Sequence, residues 1–297
     1  MYIAITAALW SLVAIALKIV LPYIDATSVN WFRFSFSFLS LLIYLLLSRP
    51  QHLSILHKPP SVLLFASVGL AFNYLGYVLG VKHTSPSTTQ VIIQIAPAMF
   101  ALSGFLIFKE KIQRSQIAGF IIALIGLLLF YYRVSHDIIG NLRSFNIGIL
   151  WIFIAAAGWV FYAILQKTAA HSYPTLQANL IIYGFPSLLF IPFTDFSSFL
   201  HLNLSSWCIL IFLGINTLIS YLAMAAGLKY IEANKASVII TLNPILTFLC
   251  MELMGFFAIA GIQGEAFSLP AIIGAIMVIG GCIVVVGLKK QNNRLPS

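Results

Sequence analysis

The chain has 297 residues, of which 61% are hydrophobic and only 8% are charged. A soluble domain carries about 25% charged residues, so this composition excludes a soluble enzyme and predicts a polytopic membrane protein. The formal net charge of +9 does not indicate a nucleic-acid interface, because the basic residues are scattered at the ends of apolar segments. The three cysteines lie in apolar segments without metal-binding or disulfide spacing, and we expect them to be packing residues: Cys208, Cys250 and Cys282.

Ten apolar segments are long enough to cross a membrane, which takes about 20 residues of helix. These spans are residues 2–21, 29–48, 61–81, 87–108, 115–132, 146–166, 175–193, 206–228, 235–256 and 270–288. The segments between them are short, so the fold class is all-α and polytopic. Most of the lysines and arginines between spans fall on the side of the N-terminus, which predicts an inner-membrane protein with both termini in the cytoplasm.

One motif occurs twice, as KHTSPSTTQVIIQIAP at residues 82–97 and as KYIEANKASVIITLNP at residues 229–244. Each copy passes from a lysine through a short polar turn into an apolar run that contains a proline. A proline has no N–H and leaves the carbonyl four residues earlier unpaired, here those of Ile93 and Ile240. We therefore predict helix breaks at Pro97 and Pro244, and such breaks at matching positions of two halves indicate a substrate site. The alternative is that membrane helices tolerate proline without a functional role.

The repeat extends over the whole chain. Residues 8–18 (ALWSLVAIALK) are similar to residues 157–167 (AGWVFYAILQK). Five spans in each half is an odd number, so the second half enters the membrane in the opposite direction, which defines an inverted repeat. The predicted organisation is a five-helix repeat at 1–132, a linker at 133–145, a second five-helix repeat at 146–288 and a basic cytoplasmic tail at 289–297. An insertion near 254–264 leaves the register of the ninth span open.

Polar side chains recur at helical spacing in four spans. A polar side chain that faces lipid is costly, so these side chains are expected to face protein or a water-filled cavity. We predict that they bind substrate: Asn73 and Tyr77 in the third span, Gln90 and Gln94 in the fourth, Asn216 and Ser220 in the eighth, and Thr241 in the ninth. The alternative is interhelical hydrogen bonding among small residues.

Two tryptophans occupy equivalent positions of the two halves, and neither is at a helix end. A tryptophan of the interfacial belt would lie nearer an end. Trp10 and Trp159 are therefore candidate cavity walls that would stack on a flat or apolar part of a substrate, with Tyr162 on the same wall. Packing alone is the alternative.

Glu252 is the one acidic residue placed well inside a span. A buried carboxyl group must pair or become neutral, so Glu252 is a candidate for proton coupling or for contact with a cationic group of the substrate. The alternative places it at the outer interface. Lys18, Arg33 and Lys82 lie near the outer ends of their spans, where we expect ordinary snorkelling to the membrane surface. The alternative is that they attract anionic solutes.

These motifs resemble the EamA family of the drug/metabolite transporter superfamily. The resemblance covers nearly the whole chain and rests on the following residues: Trp10, Ser11, Arg33, Pro97, Lys109, Glu110, Lys111, Gln116, Gly119 and Gly126. It implies a ten-helix carrier with a central cavity between the halves. The family transports amino acids, nucleotide-like metabolites and other small solutes.

The predicted function is secondary active transport of a small polar metabolite by alternating access, with export of an amino acid or related solute as the leading hypothesis. The alternative is uptake or exchange of a nucleotide-like metabolite such as a methyl-donor nucleoside. Outside transport, the chain would be a membrane receptor, a scaffold or a lipid-modifying enzyme. The sequence has no phosphate-binding loop, zinc-binding spacing or nucleophile elbow. We therefore expect no enzymatic activity, no cofactor and no metal ion.

The expected partners are a small-molecule solute and the lipid bilayer, without nucleic acid, and proton coupling is left open. The sequence carries no signal for an oligomeric state.

Overall fold

Every regular element that the computed structural model describes is helical. The described residues are 1–108, 114–137, 142–169, 172–227, 239–240, 243–256 and 268–287. The α-helices are α1 (Tyr2–Val20), α2 (Ala26–Ser48), α3 (Ser61–His83), α4 (Pro86–Ile92), α5 (Ile95–Phe108), α6 (Arg114–Asp137), α7 (Leu142–Ala169), α8 (Thr175–Phe190), α9 (Leu204–Gly227), α10 (Asn243–Phe256) and α11 (Leu269–Gly287). Short 3-10 helices cover Pro50–Leu56, Ile191–Phe193 and Phe196–His201.

Seven helices in the described part of the chain are long and apolar enough to cross a membrane: α1, α2, α3, α6, α7, α8 with the 3-10 turn that follows it, and α9. The described parts of α10 and α11 are shorter apolar helices. Large apolar side chains cover the outer surface of the bundle, as at Leu128, Leu150 and Leu249, where a bilayer would contact them. The prediction of an all-α, multi-pass membrane protein is confirmed, whereas the arrangement of ten helices in two inverted repeats stays a prediction.

The fourth predicted span is two helices rather than one. α4 ends at Ile92 and α5 begins at Ile95. Between them Gln94 N donates to Val91 O at 3.3 Å and Ala96 N donates to Ile93 O at 2.9 Å. These bonds reach back three residues rather than four. The carbonyl of Ile93, to which Pro97 cannot donate, therefore still accepts a hydrogen bond. The Cys282 thiol of α11 donates to the carbonyl of Gln94 at 3.2 Å. The interruption therefore lies just before Pro97.

The second predicted break falls partly outside the described residues, since 241 and 242 are among those left out. Pro244 is the second residue of α10. Proline has no N–H, so position 244 cannot donate a backbone hydrogen bond to the carbonyl of Ile240.

Contacts between helices run largely across the two halves of the chain. α1 packs on α9 and α7 packs on α3; α1 contacts α10 and α7 contacts α5; α2 contacts α8, and α6 contacts α11. The α3–α7 contact is close because small residues face each other. A Cβ atom on Gly76 would lie 2.5 Å from the Trp151 carbonyl oxygen, and one on Gly158 would lie 2.6 Å from the Gly69 carbonyl oxygen. Glycine therefore sets the distance between these two helices.

The helices extend into the predicted linker from both sides. α6 continues to Asp137 and α7 begins at Leu142, so part of the segment 133–145 is helical. A helix continues beyond its apolar segment because its backbone hydrogen bonds do not require apolar side chains.

Candidate functional site

A cavity lies among helices of both halves. Its empty space, including the open mouth, is about 680 Å³. The lining residues are Trp10, Val13, Arg33, Asn73, Tyr74, Tyr77, Gln90, Ile93, Gln94, Ala96, Pro97, Trp159, Tyr221, Ile240 and Asn243. Apolar and aromatic walls with a few convergent polar groups are the usual composition of a small-molecule site.

The aromatic wall is held in place by contacts between the halves. The indole Nε1 of Trp10 donates to Ser220 Oγ at 3.0 Å, and the Trp10 ring lies 5.4 Å from that of Tyr221. The Tyr74 ring is 5.9 Å from the same tyrosine. These separations are those of favourable aromatic pairs, so the rings form a preformed apolar surface.

Amide side chains provide much of the polar lining. Asn73 Nδ2 donates to Ala155 O at 2.9 Å, and Gln90 Nε2 donates to Trp10 O at 3.3 Å. Gln94 Nε2 donates to Gln90 O at 3.3 Å. The Oε1 atom of Gln94 is buried and has no hydrogen-bond partner among the described residues. A buried acceptor without a donor is costly, so a donor that reached this oxygen from the cavity would stabilise the site.

Asn243 stabilises the start of α10. With its amide oriented to satisfy the local network, its nitrogen donates to Ala7 O at 3.0 Å and to Ile240 O at 3.3 Å. The carbonyl of Ile240 is the one that Pro244 leaves without its helical donor. The side chain therefore compensates for the proline and also joins α10 to α1.

Arg33 corrects the prediction that it snorkels to the outer surface. Its side chain is 4% exposed and lines the cavity. Its Nε donates to Thr217 Oγ1 at 3.1 Å, and its guanidinium carbon lies 4.3 Å from the centre of the Tyr74 ring. Lys18 and Lys82, by contrast, are exposed, as snorkelling requires.

The cavity brings together most of the residues predicted from the polar and aromatic patterns. Six predicted substrate-binding residues and one predicted break line it: Trp10, Asn73, Tyr77, Gln90, Gln94, Trp159 and Pro97.

Three further predicted residues are buried beside the cavity without lining it. Asn216 Nδ2 donates to Leu9 O at 2.7 Å, Ser220 accepts the Trp10 hydrogen bond, and the Tyr162 ring lies 5.8 Å from that of Tyr221. These contacts are the interhelical hydrogen bonds and packing of the alternative interpretation. Thr241 lies outside the described residues.

Glu252 is exposed on α10 and is absent from the described cavity lining, which corrects the expectation of a buried carboxyl group. The buried face of α10 carries Asn243, Thr247 and Met251. Thr247 Oγ1 donates to Ser11 O at 2.9 Å, so this face is fixed against α1. Glu252 follows Met251 and therefore points about 100° away from the buried face. Its coupling role stays a prediction, without support from the geometry of the cavity.

The polar pattern missed Arg33, Tyr74 and Tyr221 as lining residues. A signal was available for the two tyrosines, because Tyr74-Leu75 and Tyr221-Leu222 are equivalent in the repeat. Arg33 had no such signal, since its burial depends on the neighbours that the fold supplies.

Comparison with known proteins identifies the family. The EamA-like transporter family matches residues 1–132 and 146–287. An uncharacterized transporter of Haemophilus influenzae is 31% identical over 283 residues, which cover 94% of this chain and 92% of the relative. The uncharacterized inner membrane transporter YhbE of Escherichia coli (strain K12) is 27% identical over 281 residues, which cover 94% of this chain and 88% of the relative.

The fold also has a solved counterpart. A crystal structure of a protein that is 19% identical superposes with a TM-score of 0.65 and covers 95% of this chain and 94% of the other. At this identity the likeness concerns the fold alone. The resemblance that the motifs predict is confirmed by the family match and the two transporters: the chain belongs to the EamA-like transporter family.

Proposed function

We propose that the protein is a secondary active transporter of a small polar solute that works by alternating access to the cavity between its halves. The observation that carries this proposal is the lining itself: both halves contribute aromatic rings and buried amides to one cavity, beside an interrupted helix. Interrupted helices at a mid-membrane cavity are typical of secondary transporters.

The pattern of helix contacts supports two inverted repeats. The first helix of each half packs on the third helix of the other half, as α1 on α9 and α7 on α3. Likewise, α1 contacts α10 of the second half, and α7 contacts α5 of the first half. A pseudo-two-fold axis in the membrane plane would produce these exchanged pairs, and rocking of one half against the other would open the cavity to each side in turn.

The proposed direction is export of an amino acid or related solute across the inner membrane, with both termini in the cytoplasm. The amide and aromatic lining suits a compact solute with polar and apolar parts. Energy would come from a gradient, with proton coupling as the first candidate.

Solute exchange in liposomes tests the proposal on many candidate solutes at once. Liposomes that contain the protein are loaded with an unlabelled bacterial metabolite extract and placed in the same extract labelled with ¹³C. We expect at least one labelled solute to accumulate in these liposomes and not in protein-free ones. No accumulation of any labelled solute would contradict transport.

A matched pair of variants assigns the exchange to the cavity. Ala96 lines the cavity, whereas Ala157 is exposed on the outer surface of α7. Ala96→Leu should reduce exchange at least tenfold because it fills the cavity, and Ala157→Leu should exchange like the wild type. Equal exchange by all three proteins would place the route elsewhere.

A further inference from the structure

We infer that the solute carries a carboxylate and that Arg33 binds it. This inference rests on the proposed transport function and specifies the chemistry of its substrate. It follows from a buried cation in the cavity wall whose charge is not neutralised by any acidic side chain in the described part of the chain.

The contacts of Arg33 are uncharged. Its Nε bonds a hydroxyl group, that of Thr217, and its guanidinium group lies over an aromatic ring. Asp25, on the same helix, is about 12 Å away along the axis, and its carboxylate accepts hydrogen bonds from Thr27 and Ser28 instead. Glu252 is exposed. An ionisable side chain that is kept charged inside a membrane bundle indicates a functional site, and a buried charge favours an ion that can pair with it.

The geometry of a guanidinium group selects the ligand. Arg33 also forms a side-chain hydrogen bond with Tyr74. The guanidinium group has five N–H donors, so after the bonds to Thr217 and Tyr74 it keeps donors that match the two oxygens of one carboxylate. Arg33 is the only basic side chain in the described lining. One positive charge balances one carboxylate, whereas a phosphate dianion would require a further cation.

The interrupted helix adds to the positive potential. α5 begins at Ile95, and Ala96 and Pro97 in its first turn line the cavity. Helix N-termini carry a partial positive charge, so the start of α5 favours an anionic group in the cavity that Arg33 also lines.

Gln94 supplies the complementary group. Its side chain is 2% exposed, and its Oε1 is a buried acceptor without a partner in the described structure. An N–H group of the solute would satisfy it. The aromatic wall of Trp10 and Tyr221 would then contact an apolar part of the solute. The substrate class is therefore a carboxylate that also has an N–H donor and an apolar body.

The test uses the ¹³C exchange assay on reconstituted full-length protein. Each labelled solute that accumulates in wild-type liposomes is competed with the unlabelled acid and with its primary amide, which lacks the negative charge. We expect every accumulated solute to carry a carboxylate, and the amide to compete at least tenfold more weakly than the acid. This comparison needs no variant and is independent of folding defects.

Variants of Arg33 and Arg49 complete the test. Arg33→Gln should reduce accumulation at least tenfold, and Arg33→Lys, which keeps the charge but not the planar fork, should retain part of it. Arg49→Gln is the matched control, because Arg49 is exposed beyond the end of the same helix, and it should transport like the wild type.

The outcomes separate this inference from the proposed function. Accumulation of solutes without a carboxylate, equal competition by acid and amide, or wild-type accumulation by Arg33→Gln would each overturn the role of Arg33 and leave transport intact. Absence of any accumulation by the wild type would overturn both.

Discussion

Trp10 shows how single residues of the cavity serve both packing and recognition. One edge of its indole ring bonds Ser220 in the opposite half, and its backbone carbonyl accepts from Gln90. Trp159 lies at the equivalent position of the repeat, but its ring meets Phe100 at 6.0 Å without a hydrogen bond of its indole N–H to any described residue. The two tryptophans are therefore alike in sequence and different in what they stabilise.

The difference predicts unequal effects of the same substitution. Trp10→Phe should lower the free energy of unfolding by about 1 kcal/mol more than Trp159→Phe, because one partly buried hydrogen bond is lost. Thermal unfolding in detergent measures the difference. Trp10→Phe combined with Ser220→Ala should lose less than the sum of the single variants, since both remove the same bond. Strict additivity would contradict the bond.

Gln94 should be a residue at which transport falls without a large loss of stability. Gln94→Leu removes a buried acceptor that has no described partner, and it also removes the hydrogen bond from Nε2 to Gln90 O. These effects oppose each other, so we expect an unfolding temperature close to that of the wild type. Transport should fall at least tenfold, because the acceptor for the solute is lost. Gln166→Leu is the control, since Gln166 also has an unpartnered buried oxygen but lies outside the cavity lining. A stable Gln94→Leu variant with normal transport would remove Gln94 from the site.

For single residues, the sequence predicted which polar side chains turn inward better than it predicted which groups they contact. Asn73, Gln90 and Gln94 could be predicted because a polar side chain at helical spacing in an apolar span must turn inward. Arg33 and Glu252 could not, because a position near a span end fits either burial or exposure. Which one occurs depends on the neighbouring helix, here on Tyr74 and Thr217 beside Arg33.

Among the elements, the α4–α5 interruption is the feature that transport would use. Hydrogen bonds of the 3-10 type replace the α-helical hydrogen bonds there, so bending the chain at Gln94 would break few hydrogen bonds. Its position could be predicted from the missing donor of Pro97. The extent of α7 could not, because its first turn lies beyond the apolar segment and has no hydrophobic signal.

Replacing the proline should stiffen this element. Pro97→Ala restores an N–H group that can bond Ile93 O and join α4 to α5, so we expect equal or greater thermal stability and a transport rate reduced several-fold. Pro186→Ala is the matched control, because Pro186 is a buried proline inside α8 outside the described cavity lining. Equal transport rates in the two variants would show that the interruption has no part in the cycle.

The start of α2 gives a prediction of pH dependence. Partial burial raises the pKa of Asp25, but hydrogen bonds from the side chains and backbone N–H groups of Ser28 and Thr27 lower it by more, so the net pKa lies below 3.8. Because the folded-state pKa is depressed, the carboxylate stabilises the fold above its unfolded-state pKa, and this stability is lost as the pH falls through the folded-state value.

Substitution of this cap measures the effect. Asp25→Ala should cost about 1 kcal/mol of unfolding free energy near neutral pH because it removes the N-cap of α2, and Asp25→Asn should cost less because it keeps one acceptor. The gap in unfolding temperature between wild type and Asp25→Asn should narrow as the pH is lowered from about 5 to below 4. A gap that widens on acidification would contradict the depressed pKa.

At the scale of the whole molecule, the two halves depend on each other. α1 and α7 make their main contacts with helices of the opposite half, and both contribute a tryptophan to the cavity. The repeat in the sequence predicted two related halves, because the Trp10 and Trp159 segments and the two proline motifs recur in order. It did not predict that the first helix of each half packs against helices of the other half. Which helices contact one another is set by packing of small residues such as Gly69, Gly76 and Gly158.

Alternating access to the cavity is the central claim, and accessibility of one side chain from both sides of the membrane tests it most directly. In a protein whose native cysteines are replaced, Ala96→Cys is exposed to a membrane-impermeant maleimide in right-side-out spheroplasts and in inside-out vesicles. Ala157→Cys, on the outer surface of α7, is the control. We predict modification of Ala96→Cys from both sides and of Ala157→Cys from neither. Modification of Ala96→Cys from one side only would contradict alternating access.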